Sequence, residues 1–147
     1  MTGIHQAAID ACYDQALKSY NEGGLPIGSA LTRGDEIIAV GHNRRMQQGN
    51  PILHGEMDCL QNAGRQASYR DCTLYTSLSP CMMCSGTIVQ FKIPRVVICE
   101  NRNFGGNEQF LRNRGVEVEI IDDAHCIDLM ARFISESGQL WAEDIAD

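Results

Sequence analysis

The sequence is poor in positive charge. Its 147 residues include 12 lysines and arginines against 19 aspartates and glutamates, which leaves a formal net charge of −7. Because the summed field of such a chain repels polyanions, long nucleic acids are disfavoured as partners.

Long apolar runs and an export signal are also lacking. No run approaches the length of about 18 uninterrupted apolar residues at which a membrane-spanning helix is expected. The start of the chain does not combine a cationic region with an apolar one, the pattern of a secretory signal peptide. These two observations predict a cytoplasmic protein without a membrane partner.

The cysteines argue against disulfides and against a closed structural metal site. The chain has 7 cysteines, an odd number, so reduced thiols in a cytosol-like compartment are expected. Only one Cys-x-x-Cys pair occurs, which argues against a zinc site of four thiolates. Four other cysteines are predicted to be buried small hydrophobes, although spacing alone leaves them open as ligands: Cys59, Cys72, Cys99 and Cys126.

Length and composition predict one globular domain over residues 1–147. Hydrophobic residues make up 44% and charged residues 21%, which are ordinary proportions for a packed globule. No repeat, low-complexity tract or linker divides the chain. Residues 138–147 are expected to form a short tail with one large anchor, Trp141.

Apolar spacing and turn residues predict alternating helices and strands. Helices are expected over residues 4–22, 54–63, 107–114 and 123–136, with another opening at Pro80. Strands are expected over residues 27–32, 36–41, 73–77, 95–99 and 117–121, the first two forming a hairpin. Because crossover helices cover both faces of a sheet, this order predicts a three-layer α/β/α sandwich around a mixed five-stranded sheet.

The Cys-x-x-Cys pair has the spacing of two metal ligands. Cys81 and Cys84 follow Pro80, which we place at the first helical position, so that both sulfurs share one helix face. The positive end of a helix favours thiolates, which bind soft metals. Redox pairs and core packing share this spacing, so the motif requires further ligands.

Among the histidines, His54 is the best third ligand. It opens a predicted helix after an irregular stretch, whereas His5 and His125 are expected to be solvated and His42 is ambiguous. Two cysteines and one histidine leave a fourth tetrahedral position open to water, the arrangement of catalytic zinc. The sequence therefore predicts one catalytic Zn²⁺ per chain, held by His54, Cys81 and Cys84.

Glu56 lies two residues after His54 and acquires a role beside this ion. Residues i and i+2 of a helix face different ways, so Glu56 is not expected to be a further ligand. A carboxylate next to an activated water can take its proton and deliver it to a substrate nitrogen, which suits hydrolytic removal of an amino group. In isolation, Glu56 could instead be a helix-start carboxylate that complements the helix dipole.

These residues complete the pattern H-x-E followed by P-C-x-x-C, which is typical of zinc deaminases. Over most of its length the chain most resembles the fungal-type cytosine deaminases, notably in the segments Gly41-His42-Asn43, Leu53-His54-Gly55-Glu56 and Trp141-x-Glu143-Asp144-Ile145. The resemblance implies a cytidine-deaminase-like fold and a homodimer. It also implies zinc-dependent conversion of free cytosine to uracil and ammonia in pyrimidine salvage.

The resemblance also implies a substrate pocket. Asn43 and the Gly55 N–H are expected to contact the ring carbonyl, and Glu56 the ring nitrogen. The group at the exchanged position is expected to meet the Cys81 N–H, the Ser79 carbonyl and Asp144. The ring is expected to lie among Phe104, Trp141 and Ile27, with the tail as part of the cover of the site.

Three alternative functions stay open. Met46 stands where the fungal pattern has an aromatic residue, so another amino-heterocycle such as guanine or a pterin is an alternative substrate. A polynucleotide deaminase is disfavoured by the net charge, although Arg44-Arg45 and Arg112-x-Arg114 could form a local basic patch. A non-catalytic zinc-stabilised binding module would require a fourth ligand and an idle Glu56.

Overall fold

The sheet contains five strands in the order β2-β1-β3-β4-β5. A computed structural model describes residues 3–147. The strands are β1 (Gly28–Arg33), β2 (Glu36–His42), β3 (Cys72–Thr76), β4 (Arg95–Ile98) and β5 (Glu117–Ile120). The helices are α1 (Gln6–Asn21), α2 (Arg45–Gln48), α3 (Gly55–Ala63), α4 (Met82–Gln90), α5 (Glu108–Asn113), α6 (Ala124–Glu136) and α7 (Gly138–Asp144).

The sheet is mixed, as the alternation predicts. Strand β1 pairs antiparallel with both β2 and β3, whereas β3, β4 and β5 run parallel to one another. The parallel strands are connected through α4 and α5, because a parallel pairing requires a crossover. The predicted fold class is therefore confirmed.

Two apolar clusters cover the two faces of the sheet. Side chains alternate along each strand, so Leu31 and Leu74 face one layer while Ala30 and Tyr75 face the other. The first cluster packs against α3, α4 and α5, and the second against α1 and α6. Cys12, Cys59, Cys72, Cys99 and Cys126 are all buried in these clusters, and the last four match their predicted role as small hydrophobes.

Four details differ from the sequence predictions. Helix α1 begins two residues after the expected start, and a short helix, α2, occupies residues 45–48, where no element was expected. The tail is also more regular than expected, because most of it forms α7. Pro80 does not take the first helical position, because Cys81 is the N-cap of α4.

A third apolar cluster lies beneath α7 and leads to the candidate site. Its buried members include Leu25, Ile27 and Phe133, and the side chains of Phe104 and Trp141 pack against it. None of the helices within residues 3–147 is long and apolar enough to span a lipid bilayer.

Candidate active site

Two helix starts bring the three predicted metal ligands together. His54 is the N-cap of α3 and Cys81 is the N-cap of α4, while Cys84 lies in the first turn of α4. One ligand atom from each residue lies within 4.8 Å of the others, and His54 Nδ1 is 3.4 Å from the Cys81 sulfur. In the described part of the chain this is the one cluster of its kind.

The capping geometry explains why the two cysteines meet. The Cys84 backbone N–H donates to the Cys81 sulfur at 3.5 Å, so the thiolate occupies the position in which a serine or aspartate oxygen usually caps a helix. Pro80 comes one residue before this cap and therefore restricts the approach of the chain rather than the first helical turn.

The charges of the cluster favour a cation. A hydrogen bond from Cys84, together with His54, lowers the pKa of Cys81 to about 4 despite burial. Although burial opposes the charged imidazole, the Cys81 thiolate and Asp144 raise the pKa of His54 to about 8. A thiolate at the positive ends of two helices is a strong ligand for a soft metal ion.

The donor set fits zinc. Two sulfurs and one imidazole nitrogen are ligands that Zn²⁺ prefers, and three protein ligands leave one position for water or substrate. The His54 ring presents Nδ1 to Cys81, while Nε2 lies 3.6 Å from Asp144 Oδ1, so a carboxylate faces the nitrogen on the far side of the ring.

Glu56 is buried beside the cluster, with an exposed fraction of 4%. Burial, with a contribution from the Cys81 thiolate, raises the pKa of Glu56 to about 7. A carboxyl group with a pKa near neutrality can both accept and return a proton. The preceding Gly55 packs tightly, because a Cβ there would lie 2.9 Å from the Ile27 carbonyl oxygen.

A small cavity adjoins the cluster and unites most of the predicted pocket residues. It is lined by Ile27, His54, Glu56, Leu78, Ser79, Cys81, Phe104, Trp141, Asp144 and Ile145. The rings of Phe104 and Trp141 meet edge to face, with centroids 5.9 Å apart. Sequence reasoning missed Leu78 and Ile145, since neither carries a chemical signal that distinguishes it from ordinary core.

Two predicted contacts and one departure from the fungal pattern lie outside this lining. Asn43 is fully buried, and its amide nitrogen donates to Asp144 Oδ1 at 3.0 Å. Gly55 and Met46 are likewise absent from the lining, and Met46 is 40% exposed on α2. Asn43 is thus connected to the cavity through Asp144.

Helix α5 braces the loop that carries Cys81. The Ser79 hydroxyl donates to a Glu108 carboxylate oxygen, and the Asn107 amide donates to the Pro80 carbonyl at 3.0 Å. The Ser79 backbone N–H also donates to the Glu100 carbonyl at 2.9 Å. These bonds hold both the Ser79 and Cys81 positions relative to the sheet.

This geometry agrees with a family assignment. Residues 2–100 match the model of the cytidine and deoxycytidylate deaminase zinc-binding region. The chain belongs to this zinc-dependent deaminase family. It is a hydrolase of the deaminase type, and the prediction of zinc as cofactor is confirmed by the matched region together with the ligand cluster.

Relatives extend the likeness over the full length. A cytosine deaminase of Candida albicans is 51% identical, with 100% of both chains covered. A tRNA-specific adenosine deaminase of Streptococcus pyogenes is 33% identical over 83% of this chain and 84% of its own length. The predicted resemblance to the cytosine deaminases is therefore confirmed.

Solved structures share the fold. A guanine deaminase from Nitrosomonas europaea superimposes with a TM-score of 0.74 at 20% sequence identity, covering 92% of this chain and 87% of that chain. At this level of identity the likeness concerns the fold alone, which is again a sheet with helices on both sides.

Proposed function

We propose that the protein hydrolyses free cytosine to uracil and ammonia at a zinc ion held by His54, Cys81 and Cys84. The observation that carries this proposal is the small cavity in which a buried carboxylate, Glu56, meets the ligand cluster beneath two aromatic rings. The full-length similarity to a cytosine deaminase supports the choice of substrate.

Each residue then has a chemical task. A bound zinc ion supplies Lewis-acid activation of water near neutral pH. Glu56 accepts one proton of the attacking water and delivers it to the ring nitrogen, and then moves the second proton, from the hydroxyl that has added to the ring carbon, to the departing amine; the C–N bond breaks, and one water and one cytosine give uracil and ammonia. The Ser79 carbonyl and the Cys81 N–H bind the group at the exchanged position, together with Asp144.

The remaining pocket residues orient the base. Phe104 and Trp141 clamp the flat ring above Ile27, and aromatic side chains supply large apolar contacts for a heterocycle. Asn43 and the Gly55 N–H serve the ring carbonyl, with Asn43 held through its bond to Asp144. We infer that residues 1–147 act as one catalytic domain with the tail, residues 138–147, as part of its cover.

The size of the covered cavity predicts a free base as substrate. With Trp141 and Asp144 both in the lining, the site leaves no exit for a ribose attached to the ring. Ammonia release from cytosine, cytidine and guanine by zinc-loaded protein tests this. We expect turnover of cytosine and none of cytidine; comparable rates on both would move the assignment to a broader amino-heterocycle deaminase.

The wider setting of this activity is part of the same proposal. A net charge of −7 and a covered site support action on a free base rather than within a nucleic acid. Free cysteines suit a reducing compartment, and we place the protein in the cytoplasm with a role in pyrimidine salvage. Immunodetection after cell fractionation tests this location. We expect the protein in the cytosolic fraction, and its recovery in a membrane or secreted fraction would contradict the proposal.

We propose further that two copies associate through the α3–α4 side. Ile52, Met82 and Phe91 are among the most exposed large apolar side chains in the described chain, at 52%, 53% and 47%. Ile52 and Phe91 line one groove with Tyr69. Light scattering of the wild-type protein is expected to give the mass of a dimer, and Phe91→Asp is expected to weaken this dimer. The control is Ile4→Asp, just before α1, which is expected to leave the dimer intact. A monomeric wild-type protein would contradict the proposal.

A further inference from the structure

The start of α2 contains an arginine that reaches the tail. The Arg45 side chain is only 9% exposed, although α2 is a short surface helix. Its Nη2 lies 3.4 Å from Glu143 Oε1, and its Nη1 lies 3.6 Å from Asp144 Oδ1. One guanidinium therefore faces two consecutive carboxylates of α7, one from each terminal nitrogen, in a fixed planar geometry that the point charge of an ammonium does not reproduce.

The backbone of Arg45 belongs to the same network. Its N–H donates to Asn43 Oδ1 at 3.0 Å, while Asn43 Nδ2 donates to Asp144 Oδ1. Asp144 is thus connected to Arg45 in two ways: through the Asn43 amide to the Arg45 backbone, and directly to the guanidinium. Asp144 in turn lies 3.6 Å from His54 Nε2, so this network of polar contacts reaches a proposed metal ligand.

One donor of this network of polar contacts lacks a hydrogen bond. Arg45 Nη1 is a buried donor that has no hydrogen-bond partner among the described residues, and Asp144 Oδ1 lies just beyond bonding distance from it. A buried charged donor without a partner is unfavourable, so a slight movement of Asp144 towards Arg45 Nη1 would be stabilised. The guanidinium is thereby placed to hold Asp144, and with it α7, in position beside the cavity.

We propose that Arg45 is a positioning residue that fastens α7 over the cavity by holding Glu143 and Asp144 together. It does not line the cavity itself, so it acts through the tail and not by touching the base. The inference rests on the proposed role of the tail as cover of the site. It assigns the specificity for a small flat base partly to a residue outside the lining of the cavity.

The single tryptophan of the chain reports directly on this contact. Trp141 lies on α7 and lines the cavity, and the sequence contains no other tryptophan, so all tryptophan emission comes from the cover. Acrylamide quenching of zinc-loaded protein without substrate therefore measures how far the cover is open. This readout does not depend on which base the enzyme accepts.

Arg45→Gln removes the guanidinium but retains the backbone N–H that orients Asn43. We expect stronger quenching of Trp141 and a rise of about tenfold in the KM for cytosine, the effect of losing one charged contact, with kcat changed less. The matched control is Arg44→Gln, which removes the neighbouring positive charge. Arg44 pairs with Asp58 at 3.0 Å rather than with the tail, so its loss is expected to leave Trp141 quenching unchanged.

Arg45→Lys provides a second test in which the positive charge is kept. A lysine keeps the charge but lacks the rigid planar arrangement of two separated nitrogens, so it holds the two carboxylates less firmly, and intermediate quenching and an intermediate KM are expected. Wild-type quenching in Arg45→Lys, or in a folded Arg45→Gln, would overturn the proposed fastening whatever the substrate is. Stronger quenching with an unchanged KM would overturn the claim that the fastened cover serves substrate binding, and inactivity of the wild-type protein on cytosine would instead contradict the proposed function.

Discussion

The zinc side and the cover side of the cavity are built in different ways. On the zinc side, His54 and Cys81 are helix N-caps whose positions follow from the backbone of α3 and α4. On the cover side, Phe104 meets Trp141 of α7, 37 positions (141 − 104) later in the chain, through side-chain packing, and Asp144 of α7 is held by ion pairs. We therefore expect changes on the zinc side to abolish activity, and changes on the cover side to reduce it and alter selectivity.

The largest effect is expected for Cys84→Ser. This buried residue is one of the three proposed ligands, and a serine hydroxyl is a poor substitute for a thiolate at zinc. We expect zinc content to fall from one ion per chain to near none, with loss of activity and a lower unfolding temperature because metal binding stabilises the folded state. Elemental analysis and thermal unfolding provide the measurements.

Cys72→Ser is the matched control for this change. Cys72 is also buried, but it lies on β3 beside Arg33 and Asp71, away from the ligand cluster. The control is expected to retain one zinc ion per chain. A Cys84→Ser protein with full zinc content would show that Cys84 is an ordinary core residue, and two ions per wild-type chain would reveal a second metal site.

The next effect in size is that of Glu56→Gln. The amide has nearly the same shape but cannot relay a proton, so kcat is expected to fall by about 10²- to 10⁴-fold while zinc and fold are retained. Glu36→Gln, at an exposed position of β2, is the isosteric control. Near wild-type turnover by zinc-loaded Glu56→Gln would show that Glu56 only complements the dipole at the start of α3, and that another residue acts as the base.

Truncation after Leu140 sharpens the comparison from the cover side. It removes Trp141 and Asp144 but no proposed ligand, so zinc binding is expected to persist. Activity on cytosine is expected to fall by about 10- to 100-fold, because a poorly positioned substrate is converted more slowly. Steady-state kinetics and zinc content are measured together; a truncated protein as active as the intact one would show that the tail is not a cover.

The same division explains what sequence reasoning could predict. The spacing of Cys81 and Cys84 is local, so the zinc cluster follows from the motif once His54 is recognised. The mixed five-stranded sheet between helices follows from the alternation of helices and strands, whereas the order of its strands was not predicted. The cap role of Cys81 was mistaken for a position inside the helix, because a cap is defined by backbone angles and not by residue type.

The cover side was less accessible to such reasoning. Phe104, Trp141 and Asp144 were predicted only through a family resemblance, because no spacing rule connects segments so far apart in the chain. The contact of Arg45 with Asp144 spans 99 positions, from 144 − 45, and carries no pattern at all. Its partner α7 was expected only as part of a short tail, since seven residues are too few for a clear helical period.

The smallest effect is expected for Met46→Phe. Met46 departs from the aromatic residue of the fungal pattern, but its side chain is 40% exposed and does not line the cavity. A surface substitution of this kind changes stability by about 0.5 kcal/mol at most, and we expect kcat/KM for cytosine to change by less than about threefold. Trp141→Phe, which alters the lining itself, is the comparison variant and is expected to lower kcat/KM further. If Met46→Phe shifted the preference between cytosine and guanine by tenfold or more, we would conclude that α2 contacts the bound base directly. The site would then have three parts: the zinc side, on which activity depends, the cover, which adjusts selectivity, and α2.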